Sequence, residues 1–192
     1  MTDQVAKAKF NKPLWLIGVL LLMGMLGWLF LRPTVPKQPA PVAQQTAKVG
    51  APVVYQTKDW LVSKHQPNAN GDTLKALLGD TAATAEALDF DGNFARQYRY
   101  ASKSEAPLYV IESDTLFELA WYYASAKDDE TTKQLSIKHA KRAHQVTTAL
   151  YGDKGVALMQ QILDGKSPNT KAYPRLVLAR CQEYLCQIVI KK

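Results

Sequence analysis

Hydrophobic and polar positions divide this chain into three stretches with different patterns. From Leu14 to Leu31 (LWLIGVLLLMGMLGWLFL) eighteen consecutive residues carry no charged, amide or hydroxyl side chain. As a helix the run is about 27 Å long, close to the thickness of a bilayer's hydrocarbon core. Trp15 and Trp28 lie near its two ends as interfacial anchors, and Lys12 and Arg32 bracket it with charge. Core helices rarely stay apolar on every face over such a length. The run is also longer than the apolar part of a signal peptide, and Arg32-Pro33 follows it instead of a small-x-small cleavage site. The pattern therefore predicts a short tail over residues 1–12 and an uncleaved transmembrane signal anchor over residues 13–32.

The second stretch, residues 33–54, holds Pro33, Pro36, Pro39, Pro41 and Pro52 and almost nothing large enough to build a core. Proline biases the backbone towards polyproline II, at about 3.1 Å per residue, so the stretch reads as a linker able to reach on the order of 60 Å.

The third stretch, residues 55–192, has the size of one ordinary domain. Residues 65–72 (HQPNANGD) form a loop by their breaker residues. Thr73 to Leu78 and Thr81 to Leu88 read as short helices, the second with Asp80 as N-cap. Asp89-Phe90-Asp91-Gly92-Asn93 resembles the start of a calcium loop, but Tyr100 stands where a bidentate Glu is required, so a turn between helices is expected. Tyr98-Arg99-Tyr100 and Leu108 to Ile111 suggest a strand pair. Thr115 and Glu118 have the spacing of a capping box ahead of an apolar run to Ala126, with Leu116, Leu119, Ala120 and Tyr123 on one stripe. A second helix is predicted from Thr132 to Tyr151, with Ile137, Ala140, Ala143, Thr147 and Leu150 inward and Gly152 as its stop. Together these two predict a helical hairpin. Its apolar spacing resembles a tetratricopeptide unit over Thr115 to Tyr151, but no second copy follows, so the resemblance assigns no family. A third helix is expected from Val156 to Leu163.

Cys181 and Cys186 are the only cysteines. Five residues apart, they point about 140° from one another on a helix and lie about 16 Å apart on one strand, whereas a disulfide needs Cα atoms within about 7 Å. The apolar runs Leu176 to Cys181 and Cys186 to Ile190 flank four residues that suit a hairpin loop. In that register Cys181 faces Cys186, Ala179 faces Ile188 and Val177 faces Ile190. A C-terminal β-hairpin clamped by a disulfide is predicted. The fold class expected is thus α+β, mainly α, with the membrane helix and stalk preceding a small exported domain.

Charge sharpens the topology only slightly. Lys7, Lys9 and Lys12 precede the apolar run and Arg32 and Lys37 follow it, a weak positive-inside bias for a cytoplasmic N-terminus. Cysteines placed to pair favour the oxidising side for the domain. Asn68, Asn70, Asn93 and Asn169 all lack the hydroxyl residue of a glycosylation sequon, which points to a bacterial inner membrane with the domain in the periplasm. The chain has 24 Lys and Arg against 17 Asp and Glu, a net charge of +7. That basicity suits an acidic partner, anionic headgroups or peptidoglycan, and export argues against nucleic acid. Lys133, Lys138, Lys141 and Arg142 are expected on the solvent side of the second helix. There Lys138, Lys141, Arg142 and Gln145 share one side as a possible partner or anionic-surface face.

Candidate chemistry is sparse. His65, His139 and His144 make no HxxxH or HExxH pair, and neither a phosphate loop nor a Gly-x-Ser-x-Gly elbow occurs. No catalytic residue, cofactor or metal ligand is expected. The sequence reads as a non-enzymatic single-pass component whose domain contacts other proteins of an envelope-spanning assembly for secretion, conjugation or pilus biogenesis, with oligomerisation possible. The alternatives are a peptidoglycan-binding or cell-wall-acting membrane-anchored protein and a phage lysis or lysis-timing protein.

Overall fold

A computed structural model describes residues 53–192. The apolar run Leu14 to Leu31 with Trp15 and Trp28, and the proline stretch 33–52, lie outside the described residues. Among the described residues no helix is long and apolar enough to cross a membrane.

Among the described residues three α-helices and six strands follow in the order α1 (Gly71–Ala76), β1 (Ala83–Leu88), β2 (Phe94–Arg99), β3 (Leu108–Glu112), β4 (Leu116–Tyr122), α2 (Glu130–Tyr151), α3 (Asp153–Leu163), β5 (Leu176–Gln182) and β6 (Leu185–Lys191). All six strands join one antiparallel sheet in the order β1-β2-β3-β4-β6-β5. A domain that is mainly α is therefore overturned, since sheet and helix occupy nearly equal lengths of chain.

Two predicted helices are strands, for different reasons. The Ala-, Glu- and Leu-containing segment Thr81 to Leu88 has good intrinsic helix formers, but the turn after it decides its state. Asp89 Oδ1 accepts the amides of Asp91 (3.0 Å) and Asn93 (2.8 Å), and Gly92 supplies a φ of +86°. That Asx-type turn reverses the chain into β2, so Ala87 pairs with Ala95 and Ala83 with Arg99. The turn joins two strands, not two helices, and Asp80 caps nothing.

Leu116 to Tyr122 fails as a helix because it is a central strand covered on both faces, with six consecutive residues buried. Such a strand shows a continuous apolar run that periodicity cannot separate from a buried helix. The capping box does not form: Ser113 Oγ, not Thr115, accepts the turn amides, from Thr115 (3.2 Å) and Leu116 (3.0 Å). The helical hairpin from Thr115 to Tyr151, and the tetratricopeptide likeness with it, fall together.

The remaining elements match their patterns more closely. In α2 the Asp129 carboxylate caps the Thr132 amide at 2.8 Å, and Gly152 ends the helix at a φ of +57°. Ala140, Ala143, Thr147 and Leu150 are buried, with Ile137 packed at the margin. Lys133 is buried rather than on the solvent side. The helical hairpin of the fold is α2 with α3, which approach so closely that a Cβ on Gly155 would run into the Thr147 carbonyl. Tyr98 pairs with Val110 across β2 and β3 as expected.

Helices α2 and α3 pack on β4 and β5. Alternation along the strands sends Phe117, Leu119 and Trp121 from β4, and Ile188 and Ile190 from β6, into this core against Ala140, Val146, Leu158, Met159 and Ile162. Ser136 ties the layers. Its hydroxyl donates to the Tyr122 carbonyl (2.8 Å) and accepts from the Ala124 amide (3.1 Å), with the Tyr55 hydroxyl 2.8 Å away.

Candidate functional site

The C-terminal hairpin forms as its pattern requires. Cys181 and Cys186 are directly opposed, with Cα atoms 4.0 Å apart, and are joined by a disulfide. Ala179 faces Ile188, but a bulge pairs Leu176, not Val177, with Ile190. The turn is tighter than four residues, because Gln182 pairs with Leu185 and Glu183 takes a φ of +53°. Both cysteines are buried, which fits a structural bridge.

Lys138, Lys141, Arg142 and Gln145 do share one face. They border a depression of about 380 Å³ closed on its other side by Ala76, Leu77, Leu78 and Gly79 at the end of α1. Lys138 and Lys141 are exposed, whereas Arg142 and Gln145 are half-buried against that wall. The face is a shallow cationic notch between two helices, not an open stripe.

A larger cavity, about 700 Å³, lies where α2 turns into α3, between His65, Tyr151, Lys154 and Arg175. Two of its basic groups are already engaged. His65 Nε2 is 3.2 Å from the Leu150 carbonyl, and Arg175 donates to the Pro67 carbonyl at 2.9 Å. Burial pushes the Tyr151 hydroxyl up to about 12. His139 and His144 are buried, donate to the carbonyls of Ala106 (3.0 Å) and Leu61 (3.2 Å), and are held below the usual histidine value by burial. Among the described residues no group of three His, Cys, Asp or Glu side chains could hold a metal ion.

The feature that sequence reasoning missed is the β1–β2 hairpin. Strand alternation puts Leu88, Glu86 and Thr84 of β1 on the same face as Phe94, Arg96 and Tyr98 of β2. Tyr98, at the base, is covered by α1, where Lys75 Nζ stands 4.2 Å above its ring. Lys75 also reaches Glu112 (2.6 Å) and Asp72 (2.9 Å), and Glu112 takes a second cation, Lys192, at 3.0 Å. Burial works against the charged forms of Lys75 and Glu112, but the contacts win, raising the lysine and lowering the carboxylate.

Towards the tip the helical layer ends. Phe94 is 93% exposed, Leu88 59% and Phe90 48%. A shallow groove of about 420 Å³, lined by Glu86, Phe94, Arg96, Tyr98, Glu112 and Lys192, crosses this face. The tip is held to the sheet from behind, where the Phe90 amide donates to Glu118 of β4, whose other oxygen takes Gln187 Nε2 at 3.4 Å. Burial and the neighbouring carboxylates of Asp89 and Asp91 raise Glu118 above the usual glutamate value. Burial opposes the charge on Asp89 too, but donors from Ser113, Asn93 and Asp91 leave that carboxyl below the usual range.

A usable sequence signal existed for this hairpin: the Asx-turn residues Asp89, Gly92 and Asn93 stand between two apolar residues, Leu88 and Phe94. The chain matches no protein-family model, no curated protein and no solved structure.

Proposed function

We propose that the chain is a non-enzymatic bitopic inner-membrane protein whose periplasmic domain docks on other proteins of an envelope-spanning assembly, of the secretion, conjugation or pilus type. The observation that carries the reading is the β1–β2 hairpin. It presents Leu88, Phe90 and Phe94 to solvent together, whereas the large apolar side chains of the central strands are buried. Contiguous exposed apolar side chains mark contact surfaces far more often than isolated ones do. The apolar run and proline stretch of the sequence would hold such a surface away from the bilayer, and the Cys181–Cys186 bridge suits an oxidising compartment. Photo-crosslinkable residues at Phe94 and, as a control face, at Lys154 test this in cells. Cross-links to envelope proteins from Phe94 but not from Lys154 support docking through the hairpin; none from either position ends the proposal.

The cationic notch favours a second reading, binding to the anionic polymers of the cell wall. Pelleting of the chain with purified peptidoglycan sacculi, lost on Lys138→Glu with Lys141→Glu, would establish it in place of the first.

A further inference from the structure

We infer that β1 accepts an extended segment of a partner protein as a seventh strand, and that the segment carries a bulky apolar residue followed two positions later by a lysine or arginine. The inference rests on the docking reading above and names its chemistry. Among the described residues β1 is an edge of the sheet, with β2 as its neighbour. Its hydrogen-bonding phase follows from the turn. Asp89 donates to the Asn93 carbonyl at 2.9 Å. Bonded and non-bonded pairs alternate in an antiparallel ladder, so Ala87, Ala85 and Ala83 turn their backbone groups towards β2. Thr84, Glu86 and Leu88 turn theirs outward. Edges are ordinarily blunted by lysine, proline or an inward charge. β1 has neither lysine nor proline, and nearly all its residues are exposed, on both faces.

The side chains of the three outward-bonding residues choose the occupant. They stand on the groove face, with Leu88 beside Phe94 at the tip and Glu86 in the middle. Among the described residues Glu86 forms no ion pair: Arg96 faces it across the hairpin without reaching it, and Glu112 holds Lys75 and Lys192. An antiparallel segment meets Leu88 first and Glu86 two residues later. Opposite charges and paired apolar groups stabilise directly facing positions, which gives the order apolar, any residue, basic. A second copy of this chain is the poorer occupant. Residues 80–90 contain no lysine or arginine, so pairing of β1 with itself sets no cation beside Glu86 on the outer edge; its existing neighbour across the hairpin is Arg96.

The test uses the full chain in detergent micelles and two synthetic nonapeptides of alternating threonine, one with Phe-Thr-Lys at its centre and one with Phe-Thr-Glu. The lysine peptide is expected to bind more tightly and to slow amide exchange at Thr84, Glu86 and Leu88. Glu86→Lys should reverse the preference, shifting each affinity by about fivefold. Thr84→Pro removes one outward donor without touching the bonds to β2, and should weaken both peptides. Equal affinity for the two peptides, protection elsewhere in the sheet, or an unchanged preference in Glu86→Lys overturns the inference. Slowing of the same amides with protein concentration alone would overturn it in favour of a second copy. Cellular cross-links from Phe94 that survive both substitutions would sink the added strand and leave docking standing, whereas peptide binding without cellular cross-links would sink docking alone.

Discussion

The sheet ends in a hairpin on each side, and the two are built on opposite principles. β5 packs against α3, and the β5–β6 pair is filled with Ile188, Ile190 and Leu176 and closed by a disulfide between two buried residues. β1 and β2 have alanine where the other hairpin has isoleucine, have no cross-link, and project beyond the helices with Phe94 almost wholly in solvent. One buries the apolar residues of its strands inward and exposes Tyr184 and Leu185 only at its turn; the other shows Leu88, Phe90 and Phe94. Side chains that stabilise a fold and side chains that attract a partner are the same types, so their covering tells them apart, and here the helical layer draws that line along the middle of the sheet.

The contrast can be broken most sharply by truncation on each side. Ile188→Ala, at a position with no solvent exposure, is expected to lower unfolding free energy by about 3 kcal/mol, whereas Phe94→Ala should change it by less than about 0.5 kcal/mol, both read from urea unfolding. Next in size is the clamp. Cys181→Ser with Cys186→Ser should cost about 2 kcal/mol under oxidising conditions, and reductant should bring the native chain to the same melting temperature. Equal melting with and without reductant would show that the bridge adds nothing to the packed hairpin.

The exposed hairpin has a fastening of its own. Glu118→Ala leaves the Phe90 amide unpaired and is expected to cost about 1 kcal/mol. Faster amide exchange should be confined to residues 83–99, and spread of the effect to residues 176–191 would show that the two ends are not independent. The smallest effect expected is from pH, and it falls on the covered side. His139 and His144 on α2 are held below the usual histidine value, so the unfolded chain binds protons that the folded one refuses. Their contribution is complete above the unfolded histidine value, about 6.5, and is lost as pH falls below it. His144→Gln should flatten that slope in a pH series of unfolding midpoints, because a neutral amide has no proton to take up.

What the sequence made legible follows from how local each signal was. The cysteine hairpin was readable because the five-residue spacing excludes both regular conformations, and α2 because its cap, inward stripe and stop glycine agree. β1 was not, because Ala, Glu and Leu favour a helix and only the bonds of Asp89 to the amides beyond it impose a turn. β4 was hidden for another reason: its central place depends on β6, which pairs with it from about seventy residues further along the chain, and nothing within the segment itself separates a doubly covered strand from a buried helix. The cationic face of Lys138, Lys141, Arg142 and Gln145 was legible from helical spacing, but the wall that α1 adds to it was not. The exposed tip escaped notice because exposure is a property of where the helices stop.

The strand order carries a consequence for how the domain comes into being. β6 lies between β4 and β5, so Leu116 waits for Lys191 before its second edge is sealed. A chain delivered from its N-terminus can zip β1 to β4 as successive hairpins, but that meander keeps a bare apolar flank along β4 until the final strand arrives. Closing the sheet therefore requires a pairing between segments distant in sequence, the kind that slows folding in general. A chain cut off before Leu185 would lack that strand altogether and leave the flank of β4 open, so the last seven strand residues complete a sheet begun about a hundred residues earlier.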